Sequence, residues 1–157
     1  MSKLQDSIVR YLDSQNWVYD FDEERRFYSL RMSLECVDSC RLVIDLKTNE
    51  EGEDVGFLCY SFFPISVPES KRDAAAQFLT RANYNLLNGN FEMDYEDGEV
   101  RYKVMTRCGD IDYDPESMEV IVDCGFAMLD RYGPGLLSVI YSNTDPKEAC
   151  ASCEKRD

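Results

Sequence analysis

Four stretches of the chain alternate apolar and polar residues with a period of two, and no other feature limits the fold so tightly. Tyr28, Leu30, Met32, Leu34 and Cys36 are separated by Ser29, Arg31, Ser33 and Glu35, and Leu42, Ile44 and Leu46 repeat the pattern against Arg41, Asp45 and Lys47. Phe91, Met93 and Tyr95 alternate with Glu92 and Asp94, then Val100, Tyr102 and Val104 with Arg101 and Lys103. Successive side chains of a strand point to opposite faces of its sheet, so each stretch reads as a strand with one dry and one wet face. The short links Val37-Asp38-Ser39 and Glu96-Asp97-Gly98 make two antiparallel hairpins of them. In the second hairpin, Glu92 or Asp94 can pair with Arg101 or Lys103, each pair contributing at most about 1 kcal/mol at an exposed sheet face.

A fifth strand, within "VGFLCYSFFP", breaks the rule. Val55, Phe57, Cys59 and Phe63 face one way, while Leu58, Tyr60 and Phe62 face the other, so both faces are apolar. Either the second face is covered, by a helix or a partner, or it is a binding surface. Burial within the protomer is the preferred reading. Trp17, Tyr19 and Phe21 alternate with Val18, Asp20 and Asp22 and suggest a sixth, edge strand.

Helical periodicity supplies the rest. Leu4, Ile8, Tyr11 and Leu12 lie on one face of a helix over about 2–15. A second helix, from about 69 to 88, places Ala75, Phe78, Leu79, Ala82 and Leu86 together, with Gly89 as its left-handed stop. Asp114-Pro115-Glu116 is an N-cap and first turn. The helix it starts should run to about Tyr132, with Met118, Val120, Ile121, Val122, Cys124, Phe126, Met128 and Leu129 over most of its circumference. Such a helix is usually buried on two sides, and a subunit interface is the favoured explanation. Gly133-Pro134-Gly135 should break or kink it, "LLSVIY" follows as a short apolar segment, and Asp145-Pro146 caps a last short helix. The resulting class is α+β. An antiparallel sheet of five strands, six with the edge run, carries helices packed against it in the order α-βββ-α-ββ-α.

At 157 residues one domain is expected, over 1–157. A formal charge of −14 repels polynucleotides and anionic membranes, so neither is expected as a partner. No stretch has the length and apolarity of a membrane span, and the N-terminus lacks the apolar core of a signal peptide, which points to a cytoplasmic protein. In that reducing compartment the seven cysteines are expected as free thiols, most of them small core residues.

Certain residues go further. Asn83-x-x-Leu86-x-x-Gly89-x-Phe91-x-x-Asp94, followed by Asp97-Gly98-x-Val100-Arg101-Tyr102, resembles the YbjN-domain family of bacterial proteins, described as sensory-transduction regulators with a fold similar to type III secretion chaperones. Pro64 and Pro68, Pro134-x-Leu136 and Asp145-Pro146-x-Glu148-Ala149 are similar too, whereas the glycine pair around Pro134 and the cysteine-bearing tail depart from the pattern. The resemblance implies a homodimer that binds other proteins, and it brings no catalytic residues with it.

Chemistry-bearing motifs are few. The chain has no histidine, which excludes Ser-His-Asp and Cys-His catalysis and histidine-containing zinc sites. It also lacks a P-loop, a G-x-G-x-x-G and a G-x-S-x-G. Asp110, Asp112 and Asp114 have the spacing of the first ligands of a calcium loop, but Pro115 stands where that loop needs glycine and Ile121 where it needs glutamate. Helix capping is the better reading. Cys150 and Cys153 have the spacing of a zinc half-site or redox pair, and Cys36 and Cys40 flank a hairpin turn. Free thiols with incidental spacing are preferred, and no cofactor is expected.

The sequence therefore points to a non-enzymatic regulator or chaperone-like module, acting as a homodimer and presenting apolar surface to an unidentified protein partner. Interface candidates are Leu58, Tyr60 and Phe62 on the two-faced strand and Met118, Ile121, Val122, Met128 and Leu129 on the long helix. The alternative is a thiol- or zinc-dependent regulator using Cys150 and Cys153.

Overall fold

The computed structural model describes residues 1–109 and 111–155. Its elements, in chain order, are α1 (Lys3–Ser14), β1 (Asp20–Asp22), β2 (Phe27–Met32), β3 (Cys40–Thr48), β4 (Asp54–Phe62), α2 (Arg72–Asn83), β5 (Asn90–Met93), β6 (Val100–Arg107), α3 (Pro115–Tyr141) and α4 (Pro146–Glu154). The strands form one antiparallel sheet in the order β1-β2-β3-β4-β6-β5. This is the expected α+β plan, with the edge strand present.

The register sorts the side chains. Tyr28, Ile44, Cys59 and Val104 lie in one row across β2, β3, β4 and β6, and Leu30, Leu42, Ser61 and Tyr102 in another. These rows are buried under α1, α2, α3 and α4. Ser2 caps α1 in a reciprocal capping box with Gln5, and Leu4, Ile8, Tyr11 and Leu12 bury the apolar face read from the sequence.

Helix α3 is central to that layer. It packs on β4 and β6, with α1, α2 and α4 against its flanks. Most of its apolar surface is thus covered by its own chain, with Val120 and Tyr141 left in solvent, so a subunit interface is not needed to explain its apolar circumference. Gly125 lets it approach the sheet, since a Cβ there would lie 2.4 Å from Ser61 Oγ. The Gly133-Pro134-Gly135 segment neither ends α3 nor separates "LLSVIY" from it; the helix continues to Tyr141. Both glycines serve close packing, because a Cβ at 133 would meet Cys36 Sγ at 2.7 Å and one at 135 would meet Cys153 Sγ at 2.5 Å. Pro134 itself is exposed on the outer side, where its ring meets solvent.

Two other boundaries differ from the sequence pattern, each for a visible reason. β2 stops at Met32 although the alternation runs to Cys36. Beyond it the chain leaves the sheet and docks on α3, where the Cys36 N–H donates to Asp130 Oδ1 (3.1 Å) and the Cys36 thiol to the Leu129 carbonyl (3.5 Å). Leu34 and Cys36 are apolar because of that docking, not because of a strand. Helix α2 ends at Asn83 rather than near Asn88, because the Asn83 amide turns to Phe91. It accepts from the Phe91 N–H (2.7 Å) and donates to the Phe91 carbonyl (3.0 Å). Gly89, at φ +75°, does not stop the helix but leads into β5, and a Cβ there would lie 2.4 Å from the Lys103 carbonyl oxygen.

Candidate functional site: the open face of the sheet

The same register that buries one face leaves the other without a helix over it among the described residues. Leu58, Tyr60 and Phe62 run along β4 in its centre, half-buried only by neighbours on the same surface. On one side stand Arg41, Val43 and Asp45 of β3, on the other Arg101, Lys103 and Met105 of β6. The expected burial of this face within the protomer is not what the structure shows: all four helices are spent on the opposite side.

Local contacts set its chemistry. Arg101 Cζ lies 4.3 Å from the centre of the Tyr60 ring, and Arg41 Cζ lies 5.8 Å from that of Phe62. The two rings are 6.0 Å apart. Glu92 of β5 receives hydrogen bonds from Arg101 Nε (2.8 Å) and from Lys103 Nζ, the cross-strand pairing read from the hairpin. Burial opposes ionisation of Glu92, but the bonds from Lys103 and Arg101 outweigh it and hold the carboxyl below its ordinary range. The side chain of Met105 is largely in solvent, at 58% exposed.

The candidates on α3 separate into two groups. Met118, Val122 and Leu129 are core residues, at most 1% exposed, and offer nothing to a second protein. Ile121 and Met128 are half-buried and packed against the core. The residues of this face that were not among the interface candidates are Arg41, Arg101, Lys103, Met105 and Arg107. The alternation of β6 was visible, but β6 pairs with β4 across the intervening α2 and β5, and only that non-consecutive pairing sets its basic arm beside Leu58, Tyr60 and Phe62.

Cys150 and Cys153 of the alternative reading, and Cys36 and Cys40 of the hairpin turn, have structural surroundings. Burial pushes the Cys36 and Cys150 thiols up to about 11 and that of Cys40 to about 12, and it also raises Cys153. Cys36 contacts α3 near Gly133, Cys153 sits against Gly135, and the Cys150 thiol points to Glu154. Among the described residues, no group of three or more Cys, Asp or Glu side chains is arranged to hold a metal ion. Asp110 of the calcium-like spacing lies outside the described residues. Asp112 is bonded to Arg10 and Ser7, and Asp114 caps α3 by accepting from the Ser117 N–H (2.7 Å).

A second concavity, of about 880 Å³, lies on the helix side between α2 and α4. Arg81 and Lys147 line it, and the Tyr95 hydroxyl donates to Asp73 Oδ1 at 3.1 Å. Tyr84 and Leu87, just past α2, are 87% and 97% exposed. No described helix is long and apolar enough to cross a membrane.

Residues 5–138 match the model of the YbjN family, whose description is "Putative bacterial sensory transduction regulator". A search of the curated proteins finds no match.

Proposed function

The chain belongs to the YbjN family, whose description is that of a regulator, and we propose that it is a non-enzymatic, cytoplasmic regulator that works by binding another protein as a homodimer. The observation that carries this reading is the open sheet face: Leu58, Tyr60, Phe62 and Met105 form a continuous apolar strip that the chain's own helices leave uncovered. A strip of this kind on a folded protein is a contact surface for a partner.

The dimer contact falls on the other side of the molecule. On the helix side the apolar side chains left in solvent include Tyr84 and Leu87 just past α2, with Tyr95 across the groove from Tyr84, and Val120 and Tyr141 of α3. A two-fold contact through the helix layer leaves the sheet face free for the partner. Light scattering coupled to size exclusion, on reduced protein at low and high salt, tests this arrangement. The expected mass is that of a dimer at both salts, retained in Phe62→Ser and shifted towards monomer in Leu87→Ser. A monomer in the unsubstituted protein, or a dimer lost in Phe62→Ser, would overturn it.

A further inference from the structure

The charge at the centre of the open face runs against that of the chain. Six of the 17 Lys and Arg residues, Arg31, Arg41, Lys47, Arg101, Lys103 and Arg107, project from its four inner strands, β2, β3, β4 and β6, where Asp45 is the one strand carboxylate among the described residues on that face. On a protein of formal charge −14, the centre of the face therefore has a local excess of positive charge. The other carboxylates lie at its margins, Asp20 and Asp22 on β1, Glu92 on β5, and Asp94 and Glu99 beside Glu92 and Arg101 at the hairpin end. Only part of this charge is neutralised locally. Glu92 serves both Arg101 and Lys103, and Asp45 pairs with Lys47 at 2.5 Å. Arg31, Arg41 and Arg107 are exposed and make no ion pair among the described residues.

We infer that the occupant of this face is an acidic protein segment, one that sets apolar side chains on Leu58, Tyr60, Phe62 and Met105 and carboxylates against Arg31, Arg41 and Arg107. This deepens the protein-binding reading and rests on it. The apolar strip supplies contact area, and the flanking arginines select the sign of the partner's charge. The rest of the chain repels acidic proteins at a distance, whereas the centre of this face attracts such a segment. A second copy meeting the first face to face would set these arginines against one another. A polynucleotide is opposed by the net charge, and the rings it would stack on are already covered, Tyr60 by Arg101 and Phe62 by Arg41.

Two fluorescent amphipathic peptides of equal length and identical leucine and tryptophan content, one with glutamate and one with lysine at its polar positions, test the inference by anisotropy. A labelled oligouridylate is the third probe. The glutamate peptide is expected to bind at least about tenfold more tightly than the lysine peptide at low salt, with the gap narrowing at high salt. Arg41→Glu with Arg107→Glu should remove that preference while leaving the circular dichroism and melting temperature unchanged, and Phe62→Ser should weaken binding of either peptide. Equal binding of both peptides, or tighter binding of the lysine peptide, would overturn the inference and leave the protein-binding reading standing. Binding of the oligouridylate alone, or of no probe, would overturn both.

Discussion

Arg101 stacks its guanidinium over the Tyr60 ring at 4.3 Å while its Nε donates to Glu92 at 2.8 Å, so one cation ties the apolar strip of β4 to the edge strand β5. The arrangement covers one face of the half-buried Tyr60 ring with the guanidinium. A double-mutant cycle of Arg101→Ala and Tyr60→Ala, read by urea denaturation, should give a coupling of about 0.5–1 kcal/mol, the range for such pairs at exposed sites.

Gly125 and Ser61 form a tight crossing between α3 and the sheet, where Ser61 Oγ is buried without a hydrogen-bond partner among the described residues. Gly125→Ala should destabilise the protein by about 1–3 kcal/mol, since the helix must move off β4. Ser61→Ala removes the clashing oxygen and an unpaired polar group, so it should be neutral or stabilising by itself and recover part of the loss in the double variant. Thermal melts of the four proteins check this.

Asn83 holds both backbone groups of Phe91 and thereby sets β5 at the sheet edge. Replacing it by alanine leaves the Phe91 N–H and carbonyl without these partners, at a cost of about 1–3 kcal/mol. Hydrogen exchange should show the loss concentrated in the β5–β6 hairpin.

Glu92 makes stability depend on acid. Its carboxyl titrates lower in the folded chain than the ordinary 4.5, so its contribution is complete above that value and is lost as the pH falls through the folded pKa. Because the pair is partly exposed, the contribution is no more than about 1 kcal/mol. The stability gap between the wild type and Glu92→Gln should therefore be constant near neutrality and close in acid.

The strands, their hairpin pairing and the caps of α3 and α4 were legible in the sequence, because period-two alternation and Asp before a helix act locally. What failed were inferences that turn on who covers whom. The apolar circumference of α3 indicated burial on several sides, but not that α1, α2 and α4 provide it. Leu34 and Cys36 continued a strand pattern for a reason that lies on α3. The candidate site was half visible for the same reason. Leu58, Tyr60 and Phe62 stand out in one strand, whereas Arg41 and Arg101 become part of the site only through long-range register.

The most direct test of the sheet face as the partner's contact surface is photo-crosslinking in the native host from a benzophenone side chain placed at Met105 or, on the helix layer, at Val120. Both positions are exposed, at 58% and 63%. A discrete crosslink to an acidic protein from position 105, absent from position 120 and lost in Arg41→Glu with Arg107→Glu, is the expected result. No crosslink from position 105, or the same pattern from both positions, would contradict it.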